Sequence, residues 1–302
     1  MKTMKLVVVA ALALMLVIPA TRGFSQERHE VVQNIGANGS VNWSEGVMTA
    51  TGIGTTPEKY YGKPQAGPMA LRAAKLDAYR NLLEVTKGVR VNAVTVVEDS
   101  MVSSDMIRSQ VDGMVKGAQV IKKEYLSDAE TVEVTVAMSI RGGFAQLILP
   151  KDIKPVTEIK TIPPAPPTPH VPEEVTPAMP EPATPAVAPV VYTGLVVDAR
   201  GLGARPAMAP KILDERGQEV YGSAYVSREY AVQQGMAGYA KDMTASQTNP
   251  MVTDQPLTVK GLKTEGTGQS DLIISNADAD KIRGASENLS FLKKCRVMIV
   301  LD

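Results

Sequence analysis

The sequence predicts an α+β fold class, two small mixed α/β domains joined by a proline-rich linker. Helix-period runs, the longest at Met69–Lys87, alternate with short β-branched runs. In 131–140, Val132, Val134, Val136 and Met138 alternate with Thr131, Glu133, Thr135 and Ala137, the pattern of a half-exposed antiparallel strand. Twelve of the 21 prolines fall between Pro155 and Pro189, where fixed φ and missing N–H donors exclude helix and central sheet.

The first domain spans 42–150, after a lead segment at 26–41. Residues 41–54 read as a hairpin or a pair of short strands turning at Glu45-Gly46. A loop rich in proline and glycine follows, and Pro68 suits the first turn of a helix. In Met69–Lys87, Leu71, Ala74, Ala78 and Leu82 form an apolar stripe opposite Arg72, Lys75, Asp77, Arg80 and Glu84, and Gly88 stops the helix. The β-branched run Val89–Val97 reads as a buried strand. Ser104–Lys116 reads as a second helix, followed by strands at 118–125 and 131–140 about a turn at 127–130. Strands with two helices on one sheet face complete the domain.

The linker spans 151–190 and reads as an extended spacer; at ~3.1 Å per residue it could hold its ends as much as ~100 Å apart. The second domain spans 191–302. Expected strands are 192–198, 257–262, 271–274 and 296–301, with a hairpin about Glu215-Arg216-Gly217. Residues 227–239 read as a weakly patterned helix. Residues 277–287 read as a helix interrupted by Gly284 and capped from Ser275/Asn276.

Residues 1–25 read as a cleavable signal peptide. Lys2 and Lys5 precede an unbroken apolar run from Leu6 to Ile18, too short for the ~20 residues that span a bilayer. Small residues near Ser25 mark the cleavage region. No cysteine follows the run, so no lipid anchor is expected. The expected location is periplasmic or secreted. The only cysteine, Cys295, excludes an internal disulfide and reads as a buried apolar residue beside the last strand. The 32 basic and 32 acidic side chains cancel, so no electrostatic argument favours nucleic acid.

The residues contain little that points to chemistry. His29 and His170, the only histidines, lie beside the cleavage region and in the proline tract. Gly52-Ile53-Gly54 and Gly201-Leu202-Gly203 lack the helix start that a pyrophosphate needs. No cofactor is expected. Asn276, Asp278, Asp280 and Glu287 fall at positions 1, 3, 5 and 12 of a calcium-loop pattern, but Lys281 stands where a sharp glycine turn belongs. The competing reading is a capped helix whose early aspartates face its positive end. Tyr60 and Tyr61 form either an exposed contact patch or a cover over the helix start.

Asn42–Gly54 (NWSEGVMTATGIG), Ala70–Arg80 (ALRAAKLDAYR), the glycine-valine run after it, 111–117 and 132–140 occur in a familiar order. This third of the chain resembles the LPP-twenty lipoprotein family and the N-terminal domain of flagellar assembly protein T. It departs from the lipoprotein members in lacking the anchoring cysteine. The resemblance implies a structural or assembly role in the envelope, around a flagellar base or surface organelle, with envelope proteins as partners. The expectation is therefore a non-enzymatic assembly factor. The alternative is a binding module for an envelope polymer or small ligand, which would show a deep, polar-lined pocket. A hydrolase would instead show two buried carboxylates facing a cleft.

Overall fold

The computed structural model describes residues 30–126, 130–155, 192–284 and 286–302. The signal-peptide reading, both histidines, linker residues 156–190, most of the 127–130 turn and the Glu287 side chain lie outside the described residues. The chain is α+β, in two lobes.

The first lobe is a five-stranded antiparallel sheet ordered β1-β2-β3-β5-β4. Its strands are β1 (Val32–Asn34), β2 (Gly39–Asn42), β3 (Val47–Thr55), β4 (Gln119–Tyr125) and β5 (Thr131–Ser139). The sheet therefore begins inside the lead segment, where the sequence shows no alternation. Gly36 takes a φ of 69°, and Ile35 N–H reaches the Gly39 carbonyl at 3.0 Å to close the β1–β2 turn. The expected hairpin is β2–β3, and β3 pairs with β5 from Val47↔Ser139 to Thr55↔Thr131. Edge strand β4 carries a register shift between Val120 and Lys122 and two successive lysines, features that discourage further strand pairing.

Helix α1 (Ala66–Gly88) covers one face of this sheet. Ala70, Ala74, Ala78 and Leu82 recur every four residues and are fully buried. They face Gly52 and Gly54 of β3. A Cβ on Gly52 would collide with the Ala78 backbone N and lie 2.6 Å from the Ala74 carbonyl. One on Gly54 would collide with the Ala74 N and the Ala70 carbonyl. The Gly-x-Gly pair is thus a seat for a helix backbone, and the small residues on both sides set the spacing of the layers.

The expected strand at Val89–Val97 does not form. Only one bridge, Arg90↔Val96, brackets a tight turn, and α2 (Val97–Ser103) starts at once. Asn92 is the cause: its Oδ1 accepts from the N–H groups of Val94 and Thr95, both at 2.9 Å. Val91 and Val97 N–H bond within the turn, to Thr95 O and Val89 O, while the carbonyls of Arg90, Val91 and Ala93 accept from the second lobe, as described below. α3 (Asp105–Lys116) follows, with Ser104 Oγ accepting from Ile107 N–H at 3.3 Å as its cap. A short α4 (Gly143–Ile148) ends the lobe.

The second lobe is a seven-stranded mixed sheet ordered β8-β7-β11-β10-β6-β12-β9. Its strands are β6 (Gly194–Asp198), β7 (Ile212–Leu213), β8 (Glu219–Tyr221), β9 (Gly238–Ala240), β10 (Pro256–Glu265), β11 (Asp271–Ile274) and β12 (Val297–Val300). β6 is central, parallel to both β10 and β12, and β12 is parallel to edge strand β9. The expected helix at 227–239 divides into α5 (Arg228–Gln234) and β9, because Gly235 at φ 88° ends the helix. α6 (Met243–Gln247) leads from β9 toward β10. The expected helix at 277–287 divides at Gly284 into α7 (Asn276–Arg283) and α8 (Ser286–Lys293).

The lobes are docked: one apolar cluster runs through both, and a second, smaller one of Val196, Val252, Met298 and Val300 lies within the second lobe. In one seam, Met208 N–H donates to Arg90 O at 3.0 Å, Ala209 N–H to Val91 O at 2.8 Å and Gly268 N–H to Ala93 O at 2.7 Å. These bonds satisfy the backbone of the turn that replaced the expected strand. In a second, Arg228 donates from Nη1 to Pro150 O and from Nη2 to Gln146 O, Gly142 N–H reaches Val232 O, and Ser223 Oγ bonds Asp152. Ile153, inside the span expected as linker, is 1% exposed, so the first residues of that span pack with the lobes. The lobes therefore touch at the point where the chain leaves the first for the spacer.

Cys295 is fully buried, as the sequence suggests, in a left-handed conformation at φ 54° beside Tyr221. Burial pushes its thiol up to about 12, with the Tyr221 hydroxyl acting in the opposite direction. The thiolate is the reactive form, so native protein at pH 8 should take up no iodoacetamide while urea-unfolded protein labels fully. Intact-mass measurement distinguishes the two; rapid native labelling would contradict the burial.

Candidate functional site

A groove of about 830 Å³ with charged walls lies between the lobes. Its position follows from edge strand β9. The Tyr239 side chain is inserted between the lobes, its hydroxyl accepting from Ala207 N–H at 3.0 Å and donating to Ala207 O at 2.7 Å. Burial raises the phenol's pKa further above its usual range, so it stays a neutral donor. Trp43, in the β2–β3 turn, meets that ring edge-on at 5.8 Å and 74°. The Trp43 indole N–H donates to Gln33 Oε1 at 3.0 Å. Ser44 Oγ donates to Tyr239 O at 2.7 Å while accepting from Val31 N–H at 3.0 Å. The β2–β3 turn thus lies against β9, and the groove opens beside this contact.

The first lobe contributes Glu30, Ser44, Glu45 and Arg141 to the groove. Glu30 accepts from Asn42 Nδ2 at 2.7 Å, and Arg141 is stacked over Gly46, where a Cβ would meet its Nε at 2.6 Å. The second lobe contributes Asp242, Asn249, Met251 and Met298. Asp242 Oδ1 caps α6 by accepting from Ala245 N–H at 2.7 Å. Met251 and Met298 converge over Gly238: a Cβ there would lie 3.0 Å from the Met251 sulfur and collide with that of Met298. Behind the groove a cavity of about 20 Å³, lined in part by Trp43, Arg141 and Tyr239, has room for a single water.

The carboxyl ends of parallel strands, where open α/β sheets often bind ligands, are filled by the chain itself. Arg200 closes a fork on Asp198 at 2.8 and 2.9 Å, and Asp302 accepts from Gly201 N–H at 2.8 Å. The hydrogen bond from Arg200 holds the Asp198 carboxyl below its usual range against the opposing effect of burial.

The calcium-loop pattern does not fold as a loop. Asn276, Asp278 and Asp280 lie in α7, where alternate residues point about 200° apart and cannot converge on one ion. Ser275 Oγ accepts from Asp278 N–H at 3.1 Å, and Asp278 pairs with Lys281 at 2.9 Å. Asn276, Asp278 and Asp280 thus form the capped helix start of the competing reading and not a metal set, and Glu287 belongs to α8, its side chain outside the described residues. Tyr60 and Tyr61 remain at the surface, Tyr61 47% exposed, with the Lys59 and Lys63 ammonium groups 5.0 and 5.4 Å from the Tyr60 ring. They lie in and beside a 3-10 turn before α1, away from the groove lining.

The most buried carboxylate among the described residues is structural. Asp214, 1% exposed, sits in the β7–β8 turn, pairs with Arg283 at 2.9 Å and accepts from the Gln218 and Arg216 N–H groups. Burial drives its pKa up, and these donors together outweigh that, leaving it below the usual value. Its stabilising contribution is present above the unfolded carboxylate range and is lost as pH falls through the lower folded value. Asp214→Ala should cost about 2–3 kcal/mol at pH 7 and less below pH ~3, measured by urea unfolding. Equal costs at both pH values would contradict the assignment.

Sequence reasoning missed the groove residues. The single tryptophan was a usable signal. β9, with three residues, was too short to show a pattern.

Residues 194–302, the second lobe from the start of β6, match the family model described as Treponema pallidum Tp0624, second domain. No curated protein matches the chain.

Proposed function

We propose that this chain is an exported, non-enzymatic envelope protein, a structural or assembly factor that acts by holding another envelope protein. The observation that carries this reading is the inter-lobe groove of about 830 Å³, which both lobes wall. Such a site is present only when the lobes are docked, and domain junctions are a common place for binding sites. Its walls offer charges, amides and thioethers, groups suited to gripping a polypeptide. Two further features support the reading. Val102 and Met106, on the helical layer of the first lobe, are 70% and 65% exposed and suit additional protein contacts. The resemblance of the first-lobe sequence to LPP-twenty and flagellar-assembly domains supports seeking the partner at a flagellar base or surface organelle.

The test is a photo-cross-linking residue at Gln234 or Asn249, in the groove, or at Glu84 on α1, followed by recovery of the protein from the periplasmic fraction. Groove positions should capture an envelope protein and Glu84 should not. Recovery of the protein from that fraction without groove-specific adducts would contradict the reading. A second reading, a module for an envelope polymer or small ligand, draws on the groove's volume, which suits small ligands as well. A small molecule retained in native mass spectrometry would favour it.

A further inference from the structure

We propose that the seam at the β10–β11 turn is an oxyanion site, which takes a phosphate group between Arg90 of the first lobe and Arg205 and Ser270 of the second. Its residues lie outside the groove lining, and it does not rest on what the groove holds. Gly268, Gln269 and Ser270 end that turn, and each is associated with a donor. The Arg90 guanidinium lies over Gly268, where a Cβ would collide with its Nη1 and lie 2.9 Å from its Cζ. Arg205 is fixed to the next residue, its backbone N–H donating to Gln269 O at 2.9 Å. Ser270 follows, 3% exposed, and its hydroxyl has no hydrogen-bond partner.

The three donors lack the same thing. Among the described residues no carboxylate pairs with either guanidinium. The charge that acts on half-buried Arg90 has its own sign: burial first, and then Arg205, lower its pKa from the usual value. Two like charges brought together from two lobes, one of them partly out of water, oppose docking until an anion stands between them. A hydroxyl enclosed without an acceptor is unfavourable for a separate reason, its lost hydration. A phosphate group answers both. It carries close to two negative charges at neutral pH and three accepting oxygens, and guanidinium forks match its geometry. A carboxylate brings one charge and fewer acceptors. Because the donors come from both lobes, the site is complete only when they are docked, and bound phosphate stabilises the docked body by mass action.

The experiment titrates the purified chain with inorganic phosphate in a calorimeter, with acetate at matched ionic strength as the control. One phosphate per chain should bind, and at ~100 times its Kd it should raise the melting temperature by roughly 5 °C or more. Acetate should give no such rise. Two variants, Arg205→Gln at an exposed position and Ser270→Ala at a buried one, should each bind phosphate at least ten-fold more weakly. Without phosphate both should melt at or above the parent, because each removes an unmatched group. A merely structural arginine or serine would not divide the two readouts in this way. Phosphatidylcholine vesicles containing phosphatidate, sedimented with the chain, distinguish a lipid-borne phosphate from the free ion. Retention on them that Arg205→Gln abolishes, with no response to inorganic phosphate, assigns the lipid form of the same group. No response to either source, an equal response to acetate, or unchanged affinity in both folded variants overturns the proposal.

Discussion

Replacing Gly54 with leucine should destabilise the protein by about 3 kcal/mol or more, enough to leave much of a marginally stable chain unfolded. The reason is geometric. A Cβ at this position runs into the main chain of α1 at Ala70 and Ala74, and a helix backbone cannot rotate away as a side chain can. To accept the leucine, α1 must lift from β3, giving up the contacts of Ala74, Ala78 and Leu82, all fully buried. Gly67, in the first turn of the same helix, is the control: a Cβ there meets nothing within 4 Å. Gly67→Ala should raise stability by ~0.5–1 kcal/mol. Urea unfolding followed by circular dichroism reads both. A Gly54→Leu protein as stable as the parent would show that α1 does not sit on β3 at this distance.

Trp43→Ala should cost about 3–5 kcal/mol and should loosen the lobes as well as the first sheet. The indole is 2% exposed, packs edge-on against Tyr239 and is tied to Gln33. Its removal opens a cavity at the seam that shapes the groove. Tyr239→Phe tests the polar half of the same contact and should cost about 1–3 kcal/mol, because the N–H and carbonyl of Ala207 both lose their partner in a buried place. If the Trp43 variant were destabilised while hydrogen exchange around Ala207 and Tyr239 stayed at the parent level, the seam would not depend on this contact.

Much of the fold was legible in the sequence because its signals were local. The alternation of 131–140, the four-residue alanine steps of α1, the helix at 104–116 and the Glu215-Arg216-Gly217 turn all depend on neighbours a few residues away. The failures came where partners lie far along the chain. Val89–Val97 has strand composition, yet Asn92 turns it and its carbonyls accept from Met208, Ala209 and Gly268 of the other lobe. β-branched composition reports that a segment is buried, not which groups complete its hydrogen bonds. The same limit hid the groove. Trp43, Arg141, Asp242 and Met298 are scattered over the sequence, and only the docking of the lobes brings them to one site. The calcium-like spacing was decided by a local signal: Ser275 caps α7, as the competing reading expects, and oxygen ligands at suitable spacing became a helix start.

The central claim is that the lobes form one body and that the site belongs to both. It is tested most directly by placing a protease site within linker residues 165–180, cutting the purified chain, and measuring the size of the product by light scattering. The seams rest largely on backbone hydrogen bonds and buried apolar side chains, which salt screens little. The account predicts that the cut chain stays a single particle of the uncut mass at both low and high salt. Separation into two independent pieces would contradict it, and with it the groove as the place where this protein works.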